Sequence, residues 1–204
     1  MSNHQIIIFA NSVKHHQHCV AGKTLDGKYW VRPVSNREGG ELDHEQAKCR
    51  NPHGLFNVKP LQKVTIGLAE HVSLINQPEN YLIDDSEWRQ NYRLDESEIV
   101  NYLESPNDIW GAGDRVDFSL IKSGVTKIEQ SLYLVKVCNL KLFVNQYNKR
   151  RASFSYNNIA YELAVTDPLF DQIIANNTEC KGILCVSLGE AFEGCCYKLV
   201  ATIF

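Results

Sequence analysis

His15-His16-Gln17-His18-Cys19 sets three imidazoles and a thiol within five residues. These are ligand types for zinc, which takes four N or S donors, commonly as two spaced pairs. Cys49-x-x-x-His53 offers a second pair, but Cys-x-x-Cys is absent and adjacent histidines on a strand point to opposite faces. The expectation is no metal site and no cofactor, with the cluster forming the rim of a binding surface.

A second group suits recognition. Asn11 and Lys14 follow the apolar run Ile6-Ile7-Ile8-Phe9-Ala10. Trp30 and Arg32 alternate within Tyr29–Ser35, and Ser187 and Glu190 close the apolar run that starts at Ile183. A tryptophan and an arginine on one strand face combine a stacking surface with a donor fork for phosphate or a guanine edge. Lys14 adds a phosphate ligand, and Asn11 a group that orients a base or sugar. The expected ligand-binding residues are Asn11, Lys14, Trp30, Arg32, Ser187 and Glu190, and no catalytic residue is assigned. The same residues allow a structural reading: Trp30 as core, Arg32 paired with a carboxylate such as Glu190, and Asn11-Ser12 as a strand end. Asp84-Asp85 has the chemistry to hold Mg²⁺ or to transfer protons, yet aspartate is common at helix starts and reads first as a cap. No P-loop, G-x-G-x-x-G before a helix, or G-x-S-x-G occurs.

The 204 residues carry a net charge of −3, which excludes a protein that coats nucleic acid through bulk positive charge. Local basic stretches remain at Asn148-Lys149-Arg150-Arg151 and, more thinly, over 122–127. The seven cysteines, an odd number with mostly apolar neighbours, read as reduced, buried thiols. The N-terminal apolar run is too short for a secretory signal, and no stretch suits a membrane span, so a cytoplasmic protein with no membrane partner is expected.

The positioning elements are mostly strands: 4–10, 18–22, 29–35, 63–68, 115–121, 132–144, 151–156, 158–165, 182–188 and 195–203. Asp26-Gly27 marks a hairpin. Short helices are expected within 36–60, near Asp84, from Asp95 and over 168–175. Short strands between turn residues predict a mostly β (β-rich α+β) protein of small barrels or sandwiches with long loops. A change of texture divides it into 1–105 and 106–204, leaving open that the first and last strands pair across the boundary.

Ala10-Asn11-Ser12-x-Lys14, Cys19-Val20-Ala21-Gly22, Trp30-Val31-Arg32-Pro33-Val34-Ser35, Gln77-Pro78-Glu79-Asn80 and Ser187-Leu188-Gly189-Glu190, in that order, resemble the bacterial dual OB-containing domain family. The resemblance spans almost the whole chain. It implies two OB-like β-barrels and a nucleic-acid or nucleotide recognition module in a bacterial DNA-linked or anti-phage defence system. It implies no reaction. The expected partner is nucleic acid, single-stranded, or a nucleotide, with a protein partner as a further possibility. The alternatives are a hydrolase or base-processing enzyme using Lys14, Glu190 and a histidine, and a protein-interaction scaffold.

Overall fold

Ile6-Ile7-Ile8-Phe9 is apolar without alternation because the strand that contains it is buried on both faces. That strand, β1 (Ser2–Lys14), opens the first of two compact units, Met1–Tyr102 and Leu103–Phe204. The structure is a computed structural model that describes residues 2–14, 17–176, 178 and 180–204, the side chains of Ser2, Asn3 and Lys14 excepted. His15 and His16 lie outside the described residues.

The first unit continues with β2 (Gln17–Thr24), β3 (Trp30–Val34), β4 (Lys48–Asn51), β5 (Gly54–Asn57), β6 (Gln62–His71), β7 (Asn80–Ile83), β8 (Trp88–Arg93) and a 3₁₀ helix (Glu96–Tyr102). Hydrogen-bonded neighbours run β1-β2-β3-β7-β6 and return to β1, closing a five-stranded barrel. Strand β1 serves two ladders: Ser2–Ile7 pairs with β6, and Ile6–Lys14 with β2. The second ladder slips between Ile8 and Ala10, where the strand bends. β3 and β7 run parallel, with Arg32 opposite Asn80. Ile6, Ile8, Val20, Val31, Val64 and Ile66 pack inside. Gly22 permits the close approach of β2 to β1, since a Cβ there would lie 2.5 Å from the Ile7 carbonyl oxygen. Gly22→Ala is expected to cost roughly 1–3 kcal/mol, the range for overpacking. A urea melt within 0.5 kcal/mol of the parent, on the order of an ordinary surface change, would show that the backbone yields there.

Asp26-Gly27 turns as expected, with Gly27 at φ +71° and Asp26 Oδ1 accepting from Thr24 Oγ1 at 2.6 Å. Two expected helices are strands instead. Residues 36–60 hold the β4–β5 hairpin. The segment after Asp84 is β8, in which buried Trp88 and half-buried Gln90 alternate with exposed Arg89 and Asn91. That period of two outweighs the helix-like charge density. Asp84 accepts from the Ser86 backbone N–H and hydroxyl, which hold its carboxyl below the usual range; it closes a turn. The expected helix at Asp95 does form, as the 3₁₀ helix that Asp95 precedes and caps. Asp95 accepts from Ser97 N–H at 2.8 Å, and Glu98 Oε2 accepts from Asp95 N–H at 3.0 Å, a reciprocal cap.

The second unit comprises β9 (Arg115–Asp117), α1 (Phe118–Lys122), β10 (Leu132–Lys136), β11 (Cys138–Val144), β12 (Arg150–Tyr156), β13 (Ile159–Val165), α2 (Phe170–Ala175), β14 (Ile183–Phe192) and β15 (Cys195–Ile203). Its path is β10-β14-β15-β13-β12-β11, with β13 and β15 parallel and β9 added to β15. Only Val137 separates β10 from β11, so the path begins and ends on one stretch of chain. Both units thus share one circuit: a divided first strand, an antiparallel second and third, and a fifth parallel to the third. The first strand's ladders lie within its own unit and the last strand's within the other.

The expected strand 115–121 is cut to three residues. Asp117 accepts from Ser119 N–H at 2.7 Å and starts α1. Before α2, Asp167 accepts from Leu169 N–H and Ile203 N–H, both at 2.8 Å; burial holds its carboxyl above the usual range. The seven cysteines are thiols, with no disulfide among the described residues. No helix among the described residues is long and apolar enough to cross a membrane. The chain is a mostly β protein with two OB-like units.

Candidate nucleic-acid interface

Trp30 and Arg32 share a face of β3, as alternation requires, but that face is covered. Trp30 is 5% exposed, meets Phe9 edge-on at 6.1 Å, and has Lys23 Nζ 5.4 Å from its ring. The 3₁₀ helix supplies the cover: Tyr102 packs on Phe9 at 5.1 Å, and its carbonyl accepts from Lys23 Nζ at 3.1 Å. Trp30 is therefore a packing residue with no open face for a base. Arg32 lies 3.8 Å from Glu79 Oε1, both side chains buried, and its backbone N–H donates to the Glu79 carbonyl at 2.9 Å. Arg32 thus meets a carboxylate of the β6–β7 connection in its own unit. Asn76, Gln77 and Asn80 are buried beside Glu79 in sequence, and Asn80 donates to Gln77 Oε1 at 3.3 Å. The Trp30–Ser35 and Gln77–Asn80 motifs accordingly meet across the parallel β3–β7 ladder.

Asn11 is also buried. Its Nδ2 donates to the Val58 carbonyl at 2.7 Å, which leaves Oδ1 facing His18 Nδ1 at 2.9 Å. Oδ1 can only accept, so His18 carries its proton on Nδ1. Burial, followed by the nearby His44 ring, pushes the His18 pKa down and favours this neutral form. Of the opening cluster, His18 is thus a structural partner of Asn11, and Cys19 is half-buried on β2. Cys49 is buried, its thiol pushed up to about 11 by burial. Among the described residues no group of three His, Cys, Asp or Glu side chains is placed to hold a metal ion. Lys14 ends β1 opposite Gln17, its side chain outside the described residues. Ser187, half-buried, and Glu190, exposed, lie on β14 of the second unit.

Among the described residues, the β11–β12 hairpin gathers aromatic and cationic side chains. Ladder partners share a face, and these are Lys141 with Ser153 and Phe143 with Arg151, followed on β13 by Glu162 and Ala164. Ala152, Phe154 and Tyr156 point the other way into the core. The outer face therefore sets one aromatic ring and two cations beside Ser153, Ala164 and the carboxylate of Glu162. The Arg151 Nε is buried and has no hydrogen-bond partner among the described residues. Arg150 is committed elsewhere, to Asp171. At the tip, Asn145 Oδ1 accepts from Tyr147 N–H and Lys149 N–H, both at 3.0 Å, and Asn148 adopts φ +56°. This tight loop leaves Tyr147 72% exposed beside exposed Lys149. The basic run 148–151 signalled this hairpin in the sequence; the alternation of Lys141, Phe143, Arg151 and Ser153 could have located its face.

The family model for the dual OB-containing domain matches residues 4–203. No curated protein matches the chain. Among solved structures, the crystal structure of the tetrameric p202 HIN2 has 8% sequence identity and a TM-score of 0.32, over 98% of this chain and 88% of that one. The shared barrel circuit and the match over nearly the full length together place the chain in the dual OB-containing domain family.

Proposed function

We propose that the protein recognises single-stranded nucleic acid through the outer face and tip of the β11–β12 hairpin. The observation that carries this reading is the juxtaposition of Phe143 and Arg151, with Lys141 on the same face and Tyr147 and Lys149 at the tip. Bases stack on accessible aromatic rings and phosphates pair with neighbouring cations, a combination that tolerates sequence and suits single strands. OB barrels bind oligonucleotides through neighbouring strands and the loop between strands one and two, which in this unit is 145–149. In the first unit Asn11, Trp30 and Arg32 hold the barrel, while Lys14, Ser187 and Glu190 remain proposed contacts. The proposed setting is the cytoplasm, in a bacterial DNA-linked or anti-phage system, a reading supported by the resemblance alone.

Anisotropy of a labelled thymidine oligonucleotide at two or more salt concentrations tests the interface. Arg151→Ala is expected to weaken binding by about 1.5–3 kcal/mol if it loses a charged hydrogen bond to phosphate. Lys149→Ala should reduce the salt slope by about 0.7, one single-strand phosphate. Equal affinity of parent and both variants would remove the hairpin from the interface, and preference for duplex would remove the single-strand reading.

A further inference from the structure

Before its barrel begins, the second unit runs through Asp108-Ile109-Trp110-Gly111-Ala112-Gly113 with three left-handed residues: Trp110 at φ +51°, Gly111 at +78° and Gly113 at +74°. The segment is tied down from several sides. Lys198 Nζ, from β15, donates to the carbonyls of Gly111, Ala112 and Gly113 at 2.7, 3.0 and 3.1 Å. Tyr161 hydroxyl accepts from Ile109 N–H and donates to the Gly111 carbonyl. The indole N–H of Trp110 donates to the Gln130 carbonyl at 2.9 Å. So held, Trp110 lies 4.8 Å from the Tyr133 ring, and both line a cleft of about 620 Å³. That volume is within the roughly 300–1,000 Å³ of small-molecule sites.

The lining selects among ligands. Val116 and Ile128 extend the apolar wall from the two rings. The cations at the cleft are engaged: Arg115 by Asp114 and the Tyr197 hydroxyl, Lys127 by Glu129 at 3.2 Å. The acceptor side is open. Asp108 Oδ1 accepts from Gly111 N–H at 2.6 Å, while Oδ2 makes no hydrogen bond among the described residues. The lining sets the carboxylates of Asp108, Asp117 and Glu129 against the two cations Arg115 and Lys127, an excess of one negative charge. The acidic excess disfavours a phosphate, whereas a flat heterocycle with donor groups on its edge matches the rings and Asp108 Oδ2.

We propose that this cleft is a separate small-molecule site for a phosphate-free nucleobase or nucleoside, stacked against Trp110 and donating to Asp108. It shares no residue with the β11–β12 face, so the two sites stand or fall separately. Guanosine, adenosine and cytidine would be titrated into the full chain by equilibrium dialysis, with tryptophan emission followed in parallel. Trp110 is the one tryptophan of residues 103–204, and Trp30 and Trp88 are buried. Saturable binding of at least one nucleoside is expected, with quenched emission and at least tenfold weaker binding of its 5′-monophosphate. Asp108→Asn retains the acceptor for Gly111 and should weaken the nucleoside at least tenfold while the circular dichroism stays native, any fall in melting temperature being that of the lost attraction to Lys198. Lys149→Ala and Arg151→Ala should leave it unaffected. The proposal is overturned if none of the three binds saturably up to about 1 mM, weaker than which an affinity falls below about 4 kcal/mol. It is equally overturned if the monophosphate binds as well, or if Asp108→Asn changes nothing.

Discussion

Replacing Arg32 with alanine is expected to lower the stability of the first unit by roughly 3–5 kcal/mol, the loss found when one member of a buried ion pair is removed. The Arg32 and Glu79 side chains are 9% and 6% exposed. Alanine would leave the Glu79 carboxylate buried without its guanidinium, beside the buried amides of Asn76, Gln77 and Asn80. Glu79→Ala should cost a similar amount for the reciprocal reason. The double replacement Arg32→Met with Glu79→Leu should recover much of the loss, because no charge is then left unpaired. Urea denaturation of the four proteins measures this directly. A loss below about 1 kcal/mol for Arg32→Ala, typical of an exposed pair, would mean that water already reaches the guanidinium, and would return Arg32 to the set of ligand contacts.

The second large effect is a pH dependence. Between pH 8 and 10.5 the parent chain is expected to gain roughly 3 kcal/mol of stability relative to Lys198→Met, at about 1.4 kcal/mol per pH unit. Lys198 is 1% exposed, and burial pushes its pKa down to about 8 against the upward pull of Asp108 and Asp114, from 10.5 for an ordinary lysine. Below pH 8 both folded and unfolded chains carry the charge, so the handicap of burying it is constant. Between the two values the unfolded chain holds a proton that the folded chain has released, and stability climbs. Above 10.5 both are neutral and the gain is complete. The variant serves as reference because Cys196, pushed up to about 11, titrates with opposite sign in both proteins. Denaturant melts at half-unit pH steps are the measurement. A parent-minus-variant difference that stays flat from 7.5 to 10.5 would show that the carbonyls of Gly111, Ala112 and Gly113 keep the ammonium charged despite its burial.

The strands were legible where one face or both are apolar, as in Ile6–Ala10 and Ile183–Leu188, because burial writes its period into the sequence. β4, β5 and β8 were not, since these short strands extend the barrel sheet and keep much of their surface polar. The pairing of Arg32 was legible only as a type of contact. Its partner Glu79 is brought close by the parallel β3–β7 ladder, which no local pattern announces. Trp30 shows the same limit: alternation shows which residues share a face, but not that the distant segment 96–102 covers it. Lys198 carried a readable signal. It alternates with Cys196 and Val200, so an inward lysine follows from period two alone, although the carbonyls that receive it do not. The Trp110 cleft had no comparable signal, because its walls come from loop backbone in left-handed conformations.

The divided first strand gives each unit two kinetic classes of contact. The hairpins β1–β2 and β11–β12 close over short loops and can form on the microsecond scale of isolated hairpins. The other half of each strand must wait for a distant partner: Ile7 for Lys63, Ser2 for Leu68, Lys136 for Ile183. Such high contact order slows folding toward milliseconds or longer. Closure therefore comes late in folding, and until it does β6 and β14 present an open edge to other chains. Once closed, the β1–β6 and β10–β14 amides are released only by opening a whole barrel, and they should be among the last in their units to exchange with deuterium.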